Sequence, residues 1–259
     1  MKLKRKLMGL TLAVCMAAAL FPAEASAAGT DTGKAIQLVE DGSAANIIGE
    51  QGSNVYYGMY LQSSDGNGGY NTDPIKWRVL SNEKGTQPDE GDKLFLLADQ
   101  NLDVVRYNET NTSITWAEST MRSWLNGYDA NENMDGVDYS ADDADSFLGS
   151  AFSVAEQGAI ALTKELANNS NGTTPGGVDT DDYIFLLSLD EVQTEAYGFS
   201  GGTSNDPARF VTNTAYVASG GKIGSTIMSD EDDSNIWGLR SPGIDGNFAS
   251  FVDHYGGVV

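Results

Sequence analysis

The only cysteine of this 259-residue chain, Cys15, lies within its first 27 residues, and those residues have the make-up of a secretory leader. Lys2, Lys4, Arg5 and Lys6 precede an apolar run of 15 residues, Leu7 to Phe21, and the small residues Ala25-Ser26-Ala27 follow where a peptidase would cut. The run is shorter than the roughly 20 residues a membrane-spanning helix needs. Val14 is a poor residue before a lipidated cysteine, and the run continues past Cys15, so the reading is secretion without a lipid anchor. Cleavage after Ala27 leaves a mature chain of 232 residues with no cysteine. Such a chain has no disulfide, no thiolate nucleophile and no cysteine-ligated metal. It must be held by burial of a core, helped at most by ions.

Losing the leader's four basic residues and one acidic residue takes the net charge from −22 to −25. A surface this acidic repels nucleic acid and anionic membranes, and no membrane insertion is expected once the leader is gone. Two readings of the charge stay open: solubility outside the cell, or attraction of calcium or a cationic partner.

Residues 28–53 are polar and rich in Gly, Ser and Asp, with Ala35 to Val39 and Ile47-Ile48 as apolar islands, and read as an N-terminal arm. The texture changes at Val55. Val55 to Leu61, Ile75 to Leu80 and Leu94 to Leu97 are short β-type runs separated by Gly, Asn, Asp and Pro. Three helix starts share one device, a Ser or Thr followed three residues later by Glu, at Thr115/Glu118, Ser153/Glu156 and Ser188/Glu191. The first is expected to stop at Gly127 and the third at Gly198. A strand over Tyr183 to Leu187 and two more around Trp237 to Arg240 and Phe248 to Val252 complete the order. Strands and helices interleave without regular βαβ spacing, which predicts a single α+β domain over 54–259 with short antiparallel strands and two to three short helices. The Asp/Asn-rich segments 129–145 and 168–182 read as surface insertions.

Five motifs occur in a recognisable order: Pro74 to Leu80; Thr115 to Ser119 with Arg122 to Asn126; Ala151 to Ser153 with Glu156; Phe185 to Ser188 with Glu191; and Trp237-Gly238-Leu239-Arg240-Ser241-Pro242-Gly243. Over residues 54–259 this resembles a family of uncharacterised extracellular bacterial domains whose hallmark is a C-terminal Trp-Leu-Arg-Ser-Pro-Gly stretch. The closing segment is also similar to the end of C-type-lectin-like domains, which include the sulfatase-modifying-factor fold. The resemblance implies a lectin-type α+β domain that presents a binding surface. Two departures stand out. Gly238 occupies the place of a second Trp, and the chain ends at Gly257-Val258-Val259 without the segment that supplies the family's last strand, so either the chain is truncated or an edge is left unpaired.

Candidate chemistry is sparse. Asp129, Asn131, Asn133, Asp135 and Asp142 alternate with other residues around Gly136, the oxygen-rich pattern a hard cation such as calcium needs, although an Asn leads where Asp is usual and Asp142 stands in for a longer Glu. Gly198-Phe199-Ser200-Gly201-Gly202 has the Gly-x-Ser-x-Gly form, with His254 the only histidine, but a helix precedes it where a hydrolase elbow needs a strand. No carboxylate pair stands out for glycosidase work among 36 mature acidic residues. The oxidase activity of the lectin-like relatives depends on cysteines that the mature chain lacks. The expectation is a secreted, non-catalytic binding or adhesion module for an extracellular protein or glycan, with loops 129–145, 198–209 and 228–248 as the recognition face and Trp237, Arg240, Asn247 and Tyr216 as contacts. The alternatives are an extracellular hydrolase acting on polymers and a structural surface protein.

Overall fold

Strand formation follows the short β-type runs read from the sequence. In the computed structural model, which describes residues 10–12, 15–19, 51–52, 54–83, 93–223, 235–244 and 248–259, Ile75, Trp77 and Val79 are buried while Lys76 and Arg78 between them reach the surface. Most of the expected arm, much of the expected 228–248 loop and Asn247 lie outside the described residues. Two short strands, β1 (Leu10–Leu12) and β2 (Cys15–Ala19), come from the N-terminal residues expected to be a leader. They are followed by β3 (Asn54–Ser64), β4 (Tyr70–Glu83), β5 (Lys93–Ala98), β6 (Gln100–Asn101) and β7 (Asp103–Val105).

Helices and short strands then alternate: α1 (Thr120–Asn126), α2 (Phe147–Ala151), α3 (Val154–Gln157), β8 (Thr163–Leu166), β9 (Thr180–Asp182) and β10 (Ile184–Phe185). The order closes with β11 (Thr212–Asn213), α4 (Ala215–Ala218), β12 (Trp237–Pro242) and β13 (Ala249–Val252). The main sheet has the order β10-β2-β5-β4-β3, antiparallel throughout. The short β6–β11 pair is parallel; β1–β7, β8–β9 and β12–β13 are antiparallel. The fold is thus mixed α/β with mostly short antiparallel strands and four α-helices among the described residues.

The helix starts show where local chemistry rules and where packing overrides it. At Ser153/Glu156 the reciprocal capping bonds open α3 as expected. At Thr115/Glu118 they open only one 3-10 turn, Trp116–Glu118; the backbone then extends at Ser119, whose hydroxyl accepts from the Arg122 N–H and starts α1 afresh. The break turns the Trp116 indole into the core, where Nε1 donates to Asp182 at 2.9 Å. At Ser188/Glu191 the reciprocal bonds are again present, but only two 3-10 turns follow, ended by Gly198 in the left-handed region. Gly127 ends α1 in the same way, with φ 67°. The unanticipated helices α2 and α4 are each one turn, capped by Ser146 and Thr214.

All four tryptophans are buried, and Trp77, Trp116 and Trp237 each find an acceptor for the indole N–H. In β5, Leu94 to Ala98 are all buried, as expected of a strand covered on both faces. Segment 168–182 is not wholly an insertion on the surface: Asp182 is fully buried, accepting from Arg122 Nε at 2.7 Å, Trp116 Nε1 and Thr180 Oγ1. The expected unpaired edge is also covered in part, because Val259 exchanges two backbone bonds with Phe251 and Val258 bridges Val252.

Candidate binding cleft

The expected contact residues do not converge. Trp237 is fully buried on β12, its indole donating to the Arg209 carbonyl at 3.0 Å. Arg240, 3% exposed, grips both carboxylate oxygens of Glu191 and donates to the carbonyls of Leu186 and Ala167 at 2.8 and 3.1 Å, with its guanidinium 5.5 Å from the Phe185 ring centroid. Arg240 thereby ties β12 to the turn after β10, and Trp237 ties it to the 3-10 turn Pro207–Arg209. Tyr216, on α4, instead lines a small cavity of about 220 Å3 with Tyr60, Trp124 and Lys222. Behind that cavity Tyr60 Oη donates to Asp103 at 2.6 Å. Burial pushes the Asp103 carboxyl up, against the bonds it accepts from Tyr60, Lys222 N and Val104 N. Burial likewise raises the Tyr216 phenol to about 12.

The acidic loop folds onto its own backbone. Asp129 accepts from Asn131 N at 2.8 Å, Asp142 from Ala144 N at 2.9 Å, and Asp135 from the Thr110 N–H and hydroxyl at 2.8 and 2.6 Å. Asn133 is buried and holds Val137 by both its N–H and its C=O, while Asn131 stays exposed. Among the described residues no group of three or more His, Cys, Asp or Glu side chains stands close enough to hold a metal. Ser200 is exposed, and its N–H donates to Asp206, whereas His254 Nε2 is buried with no hydrogen-bond partner, so that nitrogen does not engage the Ser200 hydroxyl.

What the loop does build is one wall of an open cleft of about 500 Å3, lined by Arg122, Tyr128, Asp129, Glu132, Asp181 and Tyr183 among others. α1 brings Arg122, the turn after Gly127 brings Tyr128, and the strand β9 with the residue after it brings Asp181 and Tyr183. Arg122 is fixed from below by Asp182 and reaches Glu132 at 3.2 Å, with its guanidinium 4.8 Å from the Tyr128 ring centroid. The Tyr128 hydroxyl donates to the Asp181 carbonyl at 2.8 Å, and burial holds that phenol above its ordinary value.

One carboxylate oxygen each of Asp129, Glu132 and Asp181 is taken up by Asn131, Arg122 and Glu165 N, and the other accepts nothing from the described residues. The cleft therefore offers aromatic carbon, one fixed guanidinium and three unused acceptors, a set suited to a ligand rich in O–H or N–H groups. Of these residues only Asp129 was singled out by sequence, for a different purpose. The doublet Asp181-Asp182 held a usable signal, since one of two adjacent strand carboxylates must face inward.

Residues 91–259 match the model of a family described as a domain of unknown function, DUF6273. No curated protein and no solved structure matches the chain.

Proposed function

The chain belongs to the DUF6273 family of domains of unknown function, and from that premise we propose that it is a secreted, non-catalytic binding module of C-type-lectin-like fold whose ligand is an extracellular glycan or protein. The observation that carries the reading is the cleft between Tyr128 and Tyr183, large enough for a ligand of two or three sugar rings or a short peptide turn. Tyrosine faces cover the carbon face of a sugar ring, and carboxylate oxygens accept its hydroxyls. A glycan is the better-matched of the two ligands, because the unused groups on the cleft wall are acceptors and the ring faces are half-buried. A serine hydrolase would need its nucleophile and base within reach of each other, and Ser200 with His254 Nε2 does not supply that pair.

The test is titration of the secreted protein with a panel of soluble oligosaccharides and peptides, alongside Tyr183→Ala. That side chain lines the cleft, while the fold holds the residue through its backbone N–H to Asn126. The expected result is saturable binding to at least one glycan, weakened about tenfold or more by the substitution, which is about 1.4 kcal/mol, in a variant that is still folded at the temperature of the titration although its half-buried ring packs on the core. No binding across the panel, or chain shortening of a polymer by the wild-type protein, would overturn the reading, the second in favour of a hydrolase.

A further inference from the structure

The leader does something in this fold that a leader is not expected to do. Its residues Cys15–Ala19 form β2, which pairs antiparallel with five residues of β5, from Lys93 to Leu97, and on its other side with Ile184 and Phe185 of β10. Secretion, which is itself part of the proposed function, removes this strand. β5 and β10 lie two strand spacings apart, about 10 Å, which is too wide for them to bond each other directly. Nor is β10 at liberty to slide across, because Asn126 of α1 takes its backbone at Tyr183 N, Ile184 N and Ile184 O at 2.8, 3.0 and 2.8 Å. Cleavage alone would leave a five-residue row of backbone donors and acceptors unpaired between the buried side chains Leu94 to Leu97, Ile184 and Phe185.

We propose that the slot between β5 and β10 is a strand-acceptor site, and that in the mature protein it takes residues 35–39 of the chain's own arm, Ala-Ile-Gln-Leu-Val. The run matches the slot in length, five residues, and carries no charge. The arm ends on the same sheet, at its β3–β4 edge, three strand spacings or about 15 Å from the slot. Gly52 N donates to Val79 O at 2.9 Å, and Gln51 Nε2 donates to Ala196 O. The neighbouring Tyr197 ring lies 5.2 Å from that of Phe95, which in turn stacks 5.9 Å from Phe185 across the slot. The eleven residues between Val39 and Gln51 can span up to about 36 Å, ample for the return. Being tethered, the arm meets the slot at an effective concentration of the order of millimolar, ahead of any strand arriving from another molecule.

The test uses the full-length gene secreted from its host. Mass spectrometry of the product locates the mature N-terminus, and the double variant Val39→Cys with Lys93→Cys asks whether the arm lies in the register that pairs Ala19 with Lys93. Opposed residues of an antiparallel pair are close enough for a disulfide, and the mature chain has no other thiol. An intramolecular 39–93 disulfide is expected, with no cross-link in the control Thr30→Cys with Lys93→Cys. Ile36→Asp provides a second reading, an increase of about tenfold or more in amide exchange along β5. A mature protein that still begins at Met1, free thiols in a folded double variant, a cross-link between molecules, or unaltered exchange would each overturn the proposal. None of these outcomes depends on glycan binding.

Discussion

Arg209 is the residue on which most of the second half of the molecule turns. It is fully buried, and its donors reach the carbonyls of Val192, Ser204, Gly256, Ser200 and Gly202 at 2.6 to 3.0 Å. All five guanidinium hydrogens are thereby used, with Asp206 beside it at 3.7 Å. A lysine offers three donors from a single point and cannot match that fan. Arg209→Lys is therefore expected to cost about 3 kcal/mol or more, read as a lower denaturant midpoint. Arg240→Ala should act in the same sense, because it strands Glu191 and two carbonyls; lost binding with an unchanged melting temperature would contradict this.

Asp103 makes a pH prediction. Its native carboxyl is held above the ordinary 3.8 by burial, so the folded protein keeps that proton to higher pH than the unfolded chain does. Its contribution is greatest below 3.8 and declines as pH rises through the native value. Asp206 works the other way: the bonds from Ser200 N and Ala208 N outweigh its burial and hold it low, so its contribution is present above 3.8 and is lost as pH falls. Asp103→Asn is expected to flatten the decline in stability on the neutral side of pH 4 and to leave the acid-side loss in place, as measured by urea midpoints from pH 3 to 8.

Capping chemistry, local to four residues, formed at all three of the Ser/Thr-x-x-Glu sites, yet only one produced the helix it announced. The other two stopped at 3-10 turns, at the first of them because the Trp116 indole turns into the core to reach Asp182. β3 is an element sensitive to a small change. Gly58 sits there at φ 71°, within the register shift between Tyr56 and Met59 against β4, and a Cβ at that position would lie 2.4 Å from the Phe152 ring and 2.8 Å from the Ala151 carbonyl. Gly58→Ala meets both a strained backbone and a hard clash, and is expected to lower stability by more than about 3 kcal/mol by thermal or chemical unfolding, a loss that Phe152→Ala restores only in part.

The whole molecule carries a net charge of −22, with 37 acidic residues against 15 Lys and Arg. Several of the basic residues are committed inside, as Arg122, Arg209 and Arg240 show, and so do little to relieve repulsion at the surface. Raising sodium chloride from 10 to 500 mM should therefore raise the melting temperature by a few degrees, since the screening length falls to about 4 Å. The same rise with a bulky monovalent cation would assign the gain to screening, and a gain specific to calcium would assign it to a bound ion.

Much of this protein was determined by its sequence alone. Strand alternation at Ile75 to Val79, helix stops at Gly127 and Gly198, and burial of Trp77, Trp116 and Trp124, though not of Trp237, rest on contacts within a few residues or on simple hydrophobicity, which a linear pattern carries. Tertiary structure alone decided the rest. The five carbonyls around Arg209 come from residues 192, 200, 202, 204 and 256, and the cleft takes Arg122, Glu132 and Asp181 from segments up to 59 residues apart. Whether a charged side chain is a surface contact or an internal clamp depends on which distant carbonyls surround it. No local periodicity encodes that, because burying a charge is tolerable only when the fold has already brought its partners together.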